Sequence, residues 1–94
     1  MNRWLQQHRD EILALAAQHG ARNVRVFGSM AREDAQTESD VDLLIEMEEG
    51  RSLLDLATLK VDLEERLDRS FDIVTEPALH WFIRDRVLKE AEPL

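Results

Sequence analysis

Two short apolar runs joined by a polar stretch constrain this chain more than any other feature. The first, Val24-Arg25-Val26-Phe27, ends at Gly28-Ser29, and the second, Val41-Asp42-Leu43-Leu44-Ile45, opens behind Asp40. Ten residues, Met30 to Ser39, lie between Gly28-Ser29 and Asp40-Val41-Asp42. Val24 and Val26 alternate with Asn23 and Arg25, which is strand patterning running into Phe27. In the second run Val41, Leu43, Ile45 and Met47 share one face, and Asp40, Asp42, Leu44 and Glu46 share the other. The order is therefore strand, small-residue turn, polar connection, strand, with two carboxylates at the mouth of the second strand.

That arrangement has chemical content. Asp40 and Asp42 stand two residues apart, so on a strand both point to one side. Hard divalent cations such as Mg2+ take oxygen ligands of this kind, commonly one or two carboxylates completed by substrate phosphates. The Gly28-Ser29 turn offers backbone N–H groups and a hydroxyl, which suit phosphate oxygens. Together they point to metal-assisted phosphoryl or nucleotidyl transfer. Each part has an ordinary alternative: a lone acidic pair is often solvated surface, Gly28 permits a tight turn, and Ser29 caps a helical turn. The combination at this spacing favours the site.

The remaining chain supplies the cover. Trp4, Leu5, His8, Ile12, Leu15 and Ala16 recur at helical spacing, and Gly20 is placed to end that helix. Ser29 to Arg32 reads as a helical turn, Glu33 to Ser39 as loop, and Glu48 to Arg51 as a turn. Ser52 with Asp55 starts a further helix as a capping box, carried by Leu56, Leu59, Leu63 and Leu67 to about Arg69. Phe71 to Val74 reads as a third strand, with Asp72 and Val74 opposite Phe71 and Ile73. From the residues alone Asp72 divides evenly between an exposed edge position and a site. Pro77 near a helix start and Leu79, Phe82, Ile83, Val87 and Leu88 predict a last helix. His8, His19 and His80 occur singly and read as structural or surface groups, and Trp4 and Trp81 read as packing residues, with partner anchoring the alternative for a helix-borne aromatic. The expected fold is α/β (α+β), a sheet of about three strands covered by helices, in one domain spanning 1–94.

Charge narrows the partners. The formal net charge is −8, and Lys60 and Lys89 are the only lysines, so a long polynucleotide is not expected as a direct substrate. A nucleotide carrying its own Mg2+, or a protein with a basic face, remains compatible. No apolar run is long enough to span a membrane and no secretory segment opens the chain, which makes a cytoplasmic location the expectation. With no cysteine, thiolate sites and disulfides are excluded.

Gly28-Ser29, the ten intervening residues and Asp40-Val41-Asp42 resemble the signature of the polymerase-β-type nucleotidyltransferase superfamily, and its minimal nucleotidyltransferases in particular. Ala31-Arg32, Ser39, the Phe71-Asp72-Ile73-Val74 strand and the segment from Ala78-Leu79-His80 to Glu90-Ala91 extend the resemblance over nearly the whole chain. It departs at Glu33, where family members often carry glycine. The resemblance implies a mixed sheet, with Asp40, Asp42 and Asp72 as catalytic and metal-holding residues for two Mg2+ ions. It implies Gly28, Ser29 and Arg32 on the phosphates of ATP. It further implies an antitoxin that transfers AMP to a tyrosine hydroxyl of a HEPN-domain ribonuclease toxin, in a hetero-oligomer with it. The alternatives are a non-catalytic antitoxin acting by occlusion and a stand-alone enzyme modifying a small molecule.

Overall fold

The structure is a computed structural model that describes residues 2–31 and 40–94. The loop expected over 33–39 lies outside the described residues. Helix α1 (Arg3–Gln18) starts where the Asn2 side chain accepts the N–H groups of Trp4 and Leu5, at 2.7 and 3.4 Å. It stops at Gly20, whose φ of +77° is cheap only without a Cβ. Strand β1 (Ala21–Phe27) follows at once, with Asn23 at φ +49° and a register shift between Arg22 and Arg25. That bulge lets Ala21 and Val24, three residues apart, both enter the core beside Val26, at 6%, 7% and 0% exposure.

A short 3₁₀ turn (Gly28–Met30) leads out of β1, and β2 (Val41–Met47) lies antiparallel to it. Helix α2 (Leu53–Leu67) opens on the expected capping box of Ser52 and Asp55, and Asp68 closes it in the left-handed region at φ +51°. Strand β3 (Phe71–Thr75) then pairs parallel with β2, as a crossover helix between two strands of one sheet allows.

The chain's end departs from expectation. Pro77 belongs to a 3₁₀ turn (Glu76–Ala78), and α3 (Trp81–Glu90) begins only after His80, whose ring caps it by accepting the Phe82 N–H at 3.1 Å. Leu79 is buried ahead of the helix instead of on it, and Phe82 faces outward at 75% exposure. A two-residue strand, β4 (Glu92–Pro93), pairs antiparallel with β1 where the sequence pattern gave only a helix end. Its proline is tolerated because β4 is an edge strand. The sheet is mixed and four-stranded, in the order β3-β2-β1-β4.

Burial separates the two faces of this sheet. Leu5, Ile12 and Leu15 of α1 and Leu59 and Leu63 of α2 join Val26, Val41, Leu43, Ile45, Phe71 and Ile73 in one core. On the opposite face Leu44 is fully buried against Leu79 and Val87, with Phe27, Val74, Ile83 and Leu88 around them. His19 of α1 meets Asp62 of α2 at 2.6 Å and ties the first layer together.

Candidate active site

The parallel pairing of β2 and β3 places their first residues at the same end of the sheet. In that register Val41 lies opposite Phe71 and Asp42 opposite Asp72. Neighbouring strands run about 4.8 Å apart, so the two aspartates project side by side from one face. That face is the one α3 covers, because Leu44 and Val74, two residues further along each strand, belong to the apolar cluster beneath it. Asp42 and Asp72 stand at the mouth of this cluster. Asp42 is half-buried, and Asp72 and Asp40 are exposed, Asp40 standing just ahead of β2.

β1 arrives from the other direction and delivers the turn. Phe27, its last residue, is the register partner of Asp42, so Gly28 follows directly beside that aspartate. Gly28 has φ +73°, and a Cβ there would run into the Asp42 carboxylate, with Cγ only 3.3 Å away. Glycine is required twice over, by backbone conformation and by the space that the aspartate takes. Ser29 follows, half-buried, in the turn that the Ala31 N–H closes onto the Gly28 carbonyl at 3.1 Å, while Met30 anchors it in the core. Register thus aligns Phe27, Asp42 and Asp72 across three strands, and Gly28, the residue after β1, sits against Asp42. Arg32, expected on the phosphates, lies outside the described residues.

Sequence reasoning missed the support under Asp72. Glu64 of α2 accepts the N–H of Phe71 at 3.0 Å and the Lys60 ammonium at 2.9 Å, while Lys60 also donates to the Phe71 carbonyl at 2.5 Å. These two side chains satisfy both outward backbone groups of Phe71, at the open edge of the sheet and one residue before Asp72. The Lys60 hydrogen bond, then the Phe71 N–H, hold the Glu64 carboxyl below its ordinary range. The i,i+4 spacing of Lys60 and Glu64 is visible in the sequence; their common target is not. Just ahead of β2, the Val41 N–H donates to the Ser70 carbonyl at 2.9 Å and locks the two strand starts together.

His19 and His80 take other duties, in the contact of the α1 C-cap with α2 and in the α3 cap, and His8 lies against the Trp4 ring. Trp4 is half-buried, its ring 6.3 Å from Phe71 and under the Arg69 guanidinium at 4.6 Å. Trp81 departs from the expected packing role, since 77% of it is exposed.

For a divalent cation, the donor set is hard oxygen at one sheet end. Among the described residues no three histidine or carboxylate side chains are grouped as ligands of one ion. Asp42 and Asp72 nevertheless supply the one or two carboxylates that Mg2+ takes alongside water and phosphate oxygens, so the residues fit the ion.

Comparison with known proteins places the chain in a family. The family model for the nucleotidyltransferase domain matches residues 5–94. Protein adenylyltransferase MntA of Thermococcus cleftensis is 40% identical over 76 residues, which is 81% of this chain and 77% of that protein. A solved structure, named as a minimal nucleotidyltransferase, is 50% identical with a TM-score of 0.85, covering 100% of this chain and 97% of its own. A chain of a toxin–antitoxin crystal structure with AMP-PNP shares the fold at a TM-score of 0.75 and 17% identity, over 89% of this chain and 69% of that one.

Proposed function

The chain belongs to the nucleotidyltransferase domain family and is a minimal nucleotidyltransferase, and we propose that it is an antitoxin that moves AMP from ATP onto a tyrosine hydroxyl of a HEPN-domain ribonuclease toxin. The observation that carries the reading is the register that sets Asp42 beside Asp72 across β2 and β3, with Gly28, the residue after β1, against the Asp42 carboxylate. The 40% identical MntA is a protein adenylyltransferase, which supports a protein acceptor. The toxin–antitoxin structure with AMP-PNP supports both the toxin partner and the adenine nucleotide. The two form a hetero-oligomer in the cytoplasm, and among the described residues no helix is long and apolar enough to cross a membrane.

In this reading Asp40, Asp42 and Asp72 hold Mg2+, two ions being the family's usual complement. When bound, the metal neutralises charge on the triphosphate and on the attacking and leaving oxygens. Gly28 and Ser29 present backbone N–H groups and a hydroxyl to the triphosphate, and Arg32 adds a cation to it. The glycine lets the phosphates approach the backbone beside Asp42, where any side chain would stand in the way. Asp72, at the exposed edge, faces the incoming acceptor and takes the proton of its hydroxyl. The acceptor oxygen bonds to the α-phosphorus, the bond to the β-phosphate oxygen breaks, and pyrophosphate leaves. Positioning and electrostatics do most of the work, as in other phosphoryl transfers.

The test is incubation with labelled ATP, Mg2+ and a candidate HEPN-domain partner, followed by mass spectrometry of that partner. AMP on a tyrosine, with loss of ribonuclease activity, is the expected result. A tight complex that silences the ribonuclease while its mass stays unchanged establishes occlusion instead.

A further inference from the structure

The end of the sheet away from the carboxylates takes no part in this chemistry, yet it is not featureless. There the far ends of β2 and β3, the turn after β3 and one side of α3 wall a cleft of about 730 Å³. Ile45, Met47 and Pro77 give it an apolar lining, and Arg22, Glu46, Glu76 and Arg84 give it charge of both signs in equal number. Arg22 and Glu46 face each other at 3.7 Å. Arg84 is less well served: its Nη2 reaches the Leu79 carbonyl only at 3.5 Å, and its Nε–H is shielded from solvent without an acceptor. That N–H is closed to an incoming group as well, but the side chain is only half-buried, which leaves the rest of the guanidinium open to an acceptor. Trp81 stands three residues before Arg84 on α3, so the two share one side of the helix. With Phe82 it forms an edge-on aromatic pair, 5.8 Å between centroids, at 77% and 75% exposure.

These features select an occupant. The balanced charge of the cleft gives a free anion no excess of cations, and the net charge of −8 disfavours a nucleic acid and a second copy of this chain. A neutral or basic protein segment meets the opposite conditions. Its main-chain carbonyl serves Arg84, its N–H groups or cations serve Glu46 and Glu76, and its apolar side chains cover Met47, Pro77 and Trp81. Exposed tryptophan and arginine are also the residue types that dominate protein interfaces. We propose that this cleft, together with the exposed Trp81 one turn before Arg84 on α3, is a docking site for a neutral-to-basic segment of the protein that accepts AMP. The proposal rests on the reading that the acceptor is a protein. Docking at one end of the sheet fixes the acceptor while the carboxylate end stays open to its hydroxyl.

The test uses the whole chain and the HEPN-domain partner that receives AMP in the transfer assay or, failing transfer, the candidate that binds it, with Trp81→Ala and Arg84→Met as variants and calorimetry as the readout. Both variants are expected to weaken the complex at least tenfold, and to raise KM for the partner while kcat and the KM for ATP hold. The melting-temperature rise with Mg2+ and ATP should be unchanged in both, which separates a docking defect from a folding defect. Wild-type affinity in both variants, no complex with the unaltered chain, or a change in self-association instead of partner binding overturns the proposal. A complex weakened in the variants, without AMP reaching the partner from the unaltered chain, sustains the docking site and overturns the assigned transfer.

Discussion

Asp42 and Asp72 are partners in the parallel register of β2 and β3, so two carboxylates leave the same face of the sheet from adjacent strands. Adjacent carboxylates at one sheet end are oxygen donors of the kind a divalent cation takes alongside phosphate, and the predictions start from that placement.

Asp42→Asn keeps the volume and removes the charge. AMP transfer is expected to drop by at least about 100-fold, the scale seen when one preorganised transition-state contact is lost. The fold should be kept, because the amide fills the volume of the carboxylate. Parallel activity assays and denaturant melts check both halves, and near-normal transfer by the variant would show that Asp42 is not a ligand.

Gly28→Ala tests the close approach of turn and carboxylate. The added methyl meets φ +73° and the Asp42 side chain together. Strain of this kind costs on the order of 1–3 kcal/mol, and relief requires Asp42 to move. Stability and transfer should therefore both fall. Ser29→Ala should spare stability and weaken ATP use by about 1–3 kcal/mol if a charge-assisted hydrogen bond is lost. Equal melting curves for Gly28→Ala and the original would remove the steric argument.

Glu64 makes the strand start pH-sensitive. Its carboxyl is held below the ordinary 4.5 by Lys60 first and the Phe71 N–H second. A lowered folded-state value means that its contribution to stability is complete above about pH 4.5 and fades as pH falls through the folded value. Melting temperature against pH should thus decline in the acid range, and Glu64→Gln should flatten that part of the curve. A variant with the same acid slope as the original would assign the decline to other carboxylates.

What the sequence made legible is what local rules decide. The alternation from Val41 to Met47 fixes which face Asp42 shares with Leu44, and that face is the one found under α3. The Ser52–Asp55 box and the helix stop at Gly20 are likewise contained within a few residues. Legibility ended where partners are distant in the chain. Glu92 and Pro93 become a strand only because β1 offers an edge, and Lys60 and Glu64 clamp Phe71 only because α2 crosses back over the sheet. Trp81 and Phe82 looked like core by residue type, yet α3 starts late and turns both outward. Pro77 pointed correctly to a helical start, but of a 3₁₀ turn whose chain breaks before α3.

The last prediction reads the site without any partner protein. Ligands that bind only the folded state stabilise it by mass action, about 2.7 kcal/mol at a hundredfold excess over the dissociation constant. For a domain of this size each kcal/mol moves the midpoint by roughly 4–8 °C. Mg2+ with ATP should accordingly raise the melting temperature of the unaltered chain well beyond measurement error. Asp40→Asn and Asp42→Asn should lose most of that rise, because the nucleotide's phosphates then lack the metal that joins them to β2. ATP with EDTA should give a small shift in all three proteins, since Gly28 and Ser29 alone face the repulsion of the aspartates. If both aspartate variants gain as much from Mg2+ and ATP as the original does, the nucleotide binds away from Gly28 and Asp42 and the assigned site is wrong.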